Sequence, residues 1–472
     1  MNGKVYLVGA GPGHPELITM RGIKCLQEAD VVLYDRLVHP QILHYTKRNC
    51  ELIFAGKFPT MHVLRQEKIN ELLIEKALEN KIVVRLKGGD PAVFGRVGEE
   101  AADLKKTSIP FEIVPGITSG IAASTYAGVP VTHREYGETF AVVTGHTKEK
   151  DGMPCIPWKT IAEGIDTIAF YMGVKNLKYN CEQLILHGKP KDTKVAVVQW
   201  GTIGSQKTVV GTLETISNCV EEANISNPAI VLVGDVVSVR ESVKWFEEKP
   251  LFNQSILIAK ASDSQSELAE NLLRLGADVI EFPKFYDEEH LFSISELLHW
   301  FSDYPSFVFT TKRSIDLFFK QLKDFQFDIR DVKQTIYVHS MYTKQHLLTY
   351  GLQAEIIEET SEESLYFGDA SVLDKKNHYV LHKQRLNTSY TTAMKHWLKH
   401  KKYPTVIFPN ERSVHYVLEE SKRAEIPLPI ERAFCMGKKA EKACRLHGIS
   451  VQNQDLLKDT HRLLEEIVRQ LS

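Results

Sequence analysis

Val83-Val84-Arg85-Leu86-Lys87-Gly88-Gly89-Asp90-Pro91, read together with Gly9-Ala10-Gly11-Pro12-Gly13, decides the fold class of this chain. In each stretch an apolar run enters a glycine-rich turn that carries a proline. A parallel α/β sheet presents bare backbone to a ligand in this way, at the carboxyl ends of its strands. Two such loops, the second with an acidic residue built into it, point to a nucleoside-bearing cofactor spanning neighbouring strands.

Outward from these loops, residues 1 to about 115 show strand patterns at 4–8, 30–34, 51–55, 82–86 and 111–114, with helical patterns at 15–28, 66–79 and 97–106. This is the rhythm of βαβ units in an open parallel sheet. Pro115-Gly116-Ile117-Thr118-Ser119-Gly120 is a loop feeding a helix, and further strands follow at 139–143, 166–171, 194–199 and 229–233. Glu247-Glu248-Lys249-Pro250 closes the first region, so residues 1–250 are expected to hold two α/β subdomains split near 115.

Residues 253–472 contain an internal repeat. Pro305-Ser306-Phe307-Val308-Phe309-Thr310-Thr311-Lys312-Arg313-Ser314-Ile315 aligns without gaps on Pro404-Thr405-Val406-Ile407-Phe408-Pro409-Asn410-Glu411-Arg412-Ser413-Val414. Each copy reads as a strand entering a helix, then a second strand and helix closed by glycine, which predicts two similar α/β lobes. Matching Lys260 to Lys383 leaves copy two 24 residues short, the missing piece corresponding to Gly276 through Pro283. A truncated second lobe is the expectation.

A chain of 472 residues exceeds one ordinary core. Its net charge of −2 gives no electrostatic case for nucleic acid or an anionic membrane, so an anionic substrate must be met by local cations. The seven cysteines form no CxxC pair and no Cys/His cluster at metal spacing, which predicts idle thiols and no metal. No apolar run reaches membrane-spanning length, and Lys4–Val8 already reads as a strand, so a cytoplasmic protein is expected.

The first glycine loop fails the dinucleotide pattern GxGxxG, because its sixth position is His14, and Pro12 removes a donor that a pyrophosphate would use. An NAD-dependent oxidoreductase is disfavoured on that ground. In the second loop Gly88 and Gly89 let backbone lie flat against a ligand, and Asp90 can accept from ribose hydroxyls or an amine. Arg96 and Glu99, three apart, share a face if a helix starts there; a plain turn before a solvated helix is the competing reading.

These residues carry a resemblance. The runs GAGPGHPELIT (9–19), YDRLV (34–38), VVRLKGGDPAVFGRVGEEA (83–101), VPGITSGIAASTYAGVPVTHR (114–134), VTGH (143–146), YMG (171–173) and PAIVLVGDVV (228–237) resemble uroporphyrinogen-III C-methyltransferases, collinearly over about residues 3–246. The resemblance implies the tetrapyrrole methylase fold, a homodimer, and two methyl transfers from S-adenosylmethionine to uroporphyrinogen III, at ring carbons 2 and 7, giving precorrin-2 for sirohaem or cobalamin. It implies Asp35 as proton acceptor and Lys57 as its proton-donating counterpart. Cofactor contacts carry over to Pro12, Gly88, Gly89, Asp90, Val93, Thr118, Ser119, Met172, Gly201 and Ala229. For the octacarboxylate substrate, Arg96 and Arg134 are the candidate cations, with Glu99 facing a pyrrole N–H. Phe58 and Arg65 depart from the family pattern, while His62 and Gln66 keep it.

From 253 onward the element order resembles uroporphyrinogen-III synthase. Phe408-Pro409-Asn410 and Met436-Gly437-Lys438-Lys439-Ala440 depart from that family's motifs, and the 24-residue shortfall would remove the strand that connects its lobes. A degenerate synthase-like domain is therefore expected, with a bifunctional synthase-methylase as the alternative. A non-catalytic tetrapyrrole-binding protein is the remaining reading.

Overall fold

The computed structural model describes residues 3–56, 66–145, 154–263, 266–357, 362–369, 377–453 and 459–472. The first sheet holds β1 (Lys4–Gly9), β2 (Val31–Tyr34), β3 (Glu51–Phe54), β4 (Ile82–Lys87) and β5 (Phe111–Val114), all parallel, in the order β3-β2-β4-β1-β5. Its strands are near-continuous apolar runs because both faces are covered. Val5, Leu7, Val31, Leu33 and Val83 feed one core. The alternating Tyr6, Val8, Val32, Tyr34, Val84 and Leu86 feed another. The helical pattern at 15–28 is interrupted: a 3-10 turn at Pro15–Leu17 is followed by an α-helix, Met20–Glu28, capped by Thr19.

The second sheet holds β6 (Phe140–Thr144), β7 (Thr167–Tyr171), β8 (Lys194–Gln199), β9 (Lys207–Thr212) and β10 (Ala229–Val233), in the order β6-β7-β10-β8-β9. It is mixed, with β10 antiparallel to both β7 and β8. The sequence pattern did not single out β9, an edge strand whose residues are all exposed or half-buried and so lack a long apolar run.

The C-terminal strands are β11 (Ser255–Ala259), β12 (Asp278–Phe282), β13 (Phe285–Glu289), β14 (Ser306–Phe309), β15 (Thr335–Val338), β16 (Glu355–Ile356), β17 (Ser364–Asp369), β18 (His378–Leu386), β19 (Thr405–Phe408) and β20 (Arg432–Cys435). The chain divides into two compact units. One takes the chain up to Ala261, the stretch ending at Pro283, and everything from Thr388; the other is built on Lys284–Asn387. The sheet order is β12-β11-β19-β20 in the first and β13-β18-β17-β14-β15-β16 in the second.

The repeat is real. In both copies the strand ends in a reciprocal capping box: Thr311 accepts from the Ser314 N–H at 3.1 Å, and Asn410 from the Ser413 N–H at 2.9 Å. The truncated second lobe, however, is not what the strands form. β14 and β19 each pair in parallel with a strand, β17 or β11, that pairs in turn with β18 or β12. The strand matching β12 is thus β18, and Lys260–Lys383 is not the right correspondence. The crossings between units after Pro283 and after Asn387 bracket the antiparallel pair β13–β18, which stands where a connecting strand was expected to be missing. Parallel pairing is non-local, and a lobe assembled from two chain segments leaves no signature in local spacing.

The apolar face of the first sheet does not end at the methylase-like part. Its core is continuous with Leu257, Tyr390, Met394, Trp397 and Val406 of the C-terminal segment in the same unit.

Candidate active site

β1, β4 and β5 are adjacent, so the loops that follow them collect at one edge of the sheet. Gly11 and Gly89 exchange backbone hydrogen bonds, the Gly89 N–H to Gly11 O at 2.7 Å and the Gly11 N–H to Gly89 O at 3.2 Å. Both have φ in the left-handed region, +77° and +70°. Gly116 packs against Gly89 and Gly9: a Cβ there would lie 2.3 Å from the Gly89 carbonyl oxygen and 2.8 Å from Gly9 Cα. Only bare backbone fits this crossing.

Asp90 braces it. Its Oδ1 accepts from the Ala92 N–H at 2.7 Å and its Oδ2 from the Gly116 N–H at 2.9 Å. The carboxylate is thus first a tie between two loops, with lone pairs remaining for a ligand donor. Pro12 and Val93 stand half-buried at the tips of the first and second loops.

The second subdomain closes on the same edge. The Tyr171 hydroxyl at the end of β7 lies 2.5 Å from Thr118 Oγ1 and accepts from the Gly120 N–H. Ser119 opens the helix Ser119–Tyr126, and Gly201 rests on it: a Cβ at 201 would meet Ala123 Cβ at 2.4 Å. Met172 is exposed with φ +55°, and Phe94 lies 5.2 Å from the Tyr171 ring. Ala229 pairs with Gln199, two residues before Gly201. The His14 N–H donates to Thr202 Oγ1 at 3.0 Å, fastening the first loop to the loop after β8.

Asp35 follows β2, its N–H on Leu86 O at 3.1 Å. Arg85 and Lys87 are two apart on β4 and so share a face. Arg85 Nη2 donates to Asp35 Oδ1 at 2.6 Å and Nε to Glu100 Oε1 at 3.3 Å; Lys87 Nζ donates to the same Glu100 oxygen at 2.7 Å. Gln66 adds a further donor to that oxygen at 3.0 Å. Arg85, Lys87 and Glu100 are buried and Asp35 is half-buried, at the mouth of the cluster. Burial opposes the Arg85 charge, but Asp35 and Glu100 outweigh it and raise its pKa. Burial, then the Arg85 cation, pulls Lys87 below the usual lysine range. Two cations thus offset two carboxylates.

This cluster behind Asp35 was not singled out from sequence. The available signal was two cations on one face of a strand buried on both sides.

Of the remaining expectations, Lys57 lies outside the described residues, as do Phe58, His62 and Arg65. Arg96 and Glu99 do share a helix-start face, paired at 2.8 Å through Nε, so the guanidinium is not offered unaccompanied. Arg134 is exposed at a tight turn closed by His133 and Gly137 and is not drawn into the cluster. Among the described residues no group of three or more His, Cys, Asp or Glu is placed to hold a metal, and no helix is long and apolar enough to cross a membrane.

Residues 4–217 match the family of tetrapyrrole (corrin/porphyrin) methylases. A uroporphyrinogen-III C-methyltransferase of Bacillus subtilis (strain 168) is 40% identical over 468 residues, covering 97% of this chain and 96% of the relative. The porphyrin biosynthesis protein HemD of Ruminiclostridium josui is 35% identical over 481 residues, covering 95% and 94%. A crystal structure of the uroporphyrin-III C-methyl transferase from Thermus thermophilus, complexed with S-adenyl homocysteine, is 36% identical over 50% of this chain and 100% of its own, with a TM-score of 0.44. With identity of this level along nearly its whole length, the chain belongs to the uroporphyrinogen-III C-methyltransferase family of tetrapyrrole methylases, with a synthase-like α/β region fused behind the methylase.

Proposed function

We propose that this protein methylates uroporphyrinogen III at ring carbons 2 and 7, with S-adenosylmethionine as donor, giving precorrin-2 for sirohaem or cobalamin synthesis, and that it works as a homodimer. The observation that carries the reading is Asp35, held by Arg85 beside a cradle that only glycine backbone can line. That cradle fits a nucleoside-bearing donor, since a Cβ at Gly9 or Gly116 would collide with the neighbouring backbone and force apart the loops that line it. Gly88, Gly89, Pro12 and Val93 would hold the donor from one subdomain, and Thr118, Ser119, Met172, Gly201 and Ala229 from the other. When bound, the donor supplies an electrophilic methyl group for in-line displacement by a pyrrole carbon.

The protein's own residues position and deprotonate. Methylation makes the ring carbon quaternary and the macrocycle cationic, so one proton must leave from another position as the double bonds shift, and Asp35 accepts it. Arg85 fixes the carboxylate's orientation through a charge-assisted hydrogen bond. Lys57 is the proton-donating counterpart of Asp35 in the tautomer shift. A proton given at one position is matched there by one leaving at another, so that the net loss stays at one per methyl. Phe94, Ile117, Ile121 and Met172, all exposed apolar side chains, shield the reacting carbon from water. Arg96, Arg134 and Glu99 contact substrate carboxylates and a pyrrole N–H.

The test is anaerobic incubation of the full chain with the donor and uroporphyrinogen III. A mass gain of two methyl groups is expected; an unmodified macrocycle would sink the reading.

A second reading concerns residues 253–472. Intact sheets in both lobes, with β13 and β18 at the crossings, favour retained cyclisation of hydroxymethylbilane to uroporphyrinogen III. Pro409-Asn410 and Lys438-Lys439 favour a degenerate domain. Product analysis with hydroxymethylbilane decides between them.

A further inference from the structure

A small recess lies directly beside Asp35. On one side it is lined by Asp35 and Arg36 of the loop after β2, by Phe54 at the end of β3 and by Trp200. The other side is the helix Thr388–Leu398 and the turn after it, from the synthase-like region, which bring His396, Trp397 and His400. Both sides belong to the same compact unit.

Buried polar contacts fix that helix against the methylase part. Trp397 Nε1 donates to the Tyr403 hydroxyl at 2.9 Å, and Tyr403 donates to Asp278 at 3.1 Å. Asp278 meets His39 Nε2 at 3.2 Å, while the Tyr390 hydroxyl donates to Gln41 at 3.3 Å. The Trp397 ring lies 5.1 Å from His39 and 5.9 Å from Trp200. The His396 ring stacks on Phe54 at 4.5 Å with 16° between planes. The His396 imidazole is thereby held at the mouth of the site with little rotamer freedom left to lose on binding.

The charge around the recess is one-sided. Among the described residues that line it, Asp35 is the single carboxylate, and Arg85 already pairs with it. Arg36, His396 and His400 line it as basic groups, with Lys399 and Lys395 close by. Burial, then Lys399 and Lys395, depress His396; burial, then Arg36 and Lys399, depress His400. An incoming carboxylate reverses that penalty, and the aromatic walls exclude the water that would compete for it.

We infer that His396 and His400, with Arg36, form a carboxylate-binding subsite that the synthase-like region contributes to the methyl-transfer site, taking one acidic side arm of the macrocycle. The inference rests on the proposed methylation of an octacarboxylate tetrapyrrole. It makes the C-terminal region a specificity element of the methylase, whether or not that region retains chemistry of its own.

The test uses the full chain and its H396Q/H400Q variant. Uroporphyrin III, the unreactive oxidised macrocycle with the same eight carboxylates, is titrated by quenching of tryptophan fluorescence, which Trp200 and Trp397 report. S-adenosylhomocysteine affinity and the thermal midpoint are measured alongside. The expected result is a Kd for uroporphyrin about tenfold weaker, a matching rise in KM for uroporphyrinogen III, and unchanged kcat, cofactor affinity and midpoint. A folded variant with wild-type uroporphyrin affinity overturns the subsite, and so does one that loses both ligands together. Should the double variant melt early, the exposed His400 alone, as H400Q, is expected to weaken binding about threefold. If the wild type binds uroporphyrin through these histidines but leaves uroporphyrinogen III unmethylated, the proposed function fails while the subsite stands. If it methylates, with KM unchanged in the variant, the subsite alone fails.

Discussion

Arg85 spans two carboxylates of different standing: Nη2 lies 2.6 Å from the half-buried Asp35, and Nε lies 3.3 Å from the buried Glu100. The guanidinium therefore transmits the constraint of the interior to the acid at the mouth of the site. Lys87, on the same Glu100 oxygen, keeps the cluster electrically balanced.

Asp35→Asn keeps the shape and removes the base. Methyl transfer in single turnover is expected to fall by roughly 10²–10⁴-fold, with S-adenosylhomocysteine affinity within about twofold of wild type. Equal loss of both would mean that Asp35 is structural.

Arg85→Leu leaves Glu100 and Asp35 without their shared partner. Breaking a buried ion network from one side costs about 3–5 kcal/mol, read as a lower denaturation midpoint. A loss below about 1 kcal/mol would show that Lys87 and Gln66 suffice to hold Glu100.

Gly116→Ala sets a methyl group 2.3 Å from the Gly89 carbonyl oxygen, whereas Gly98→Ala, on the helix Val97–Lys106, meets nothing within 4 Å. The first is expected to abolish cofactor binding in calorimetry. The second is expected to bind normally and to gain about 0.4–1 kcal/mol of stability.

His14 supplies a pH dependence. Burial, then the His39 and Lys249 charges, lower its pKa from 6.5 to about 4, and its Nδ1 accepts from the Glu16 N–H at 3.3 Å. The folded state thus prefers neutral imidazole, and between about 4 and 6.5 the unfolded chain binds more protons. Stability from this group is complete above about pH 6.5 and is lost as pH falls toward 4, on the order of 3 kcal/mol in all. His14→Gln should flatten that part of the stability–pH curve by about one proton; an unchanged slope would assign the acid sensitivity elsewhere.

Trp397→Ala tests the shared core. Truncating this buried ring is expected to cost about 3–5 kcal/mol and to lower the midpoint of methylase activity as well as that of global unfolding, since Trp397 lies in one cluster with Val8, Tyr34 and Leu86. Activity that survives to the wild-type midpoint would make the C-terminal region a separate folding unit.

The first sheet and its glycine loops were legible in the sequence because their determinants are local. Apolar runs such as Val83–Leu86 and turns such as Gly88–Pro91 encode a buried parallel strand and its exit wherever they occur. The family motifs lie on those same loops, so the residues proposed to hold the cofactor could be named from the sequence. What the loops do for each other could not: Asp90 reads as a ligand acceptor until Gly116 is seen on its second oxygen. Arg85 and Lys87 read as strand residues until Glu100 arrives from the following helix. The second lobe read as truncated because spacing along the chain cannot say that β18, not β12, flanks β17, or that β11 and β12 wait for β19. By itself the sequence determined which segments are strands, helices and glycine turns, since propensity, periodicity and φ preference act over a few residues. Only the tertiary structure decided which strands pair, which charges share a buried oxygen and which region walls the recess at Asp35, because those outcomes depend on long-range packing and desolvation that no local pattern contains.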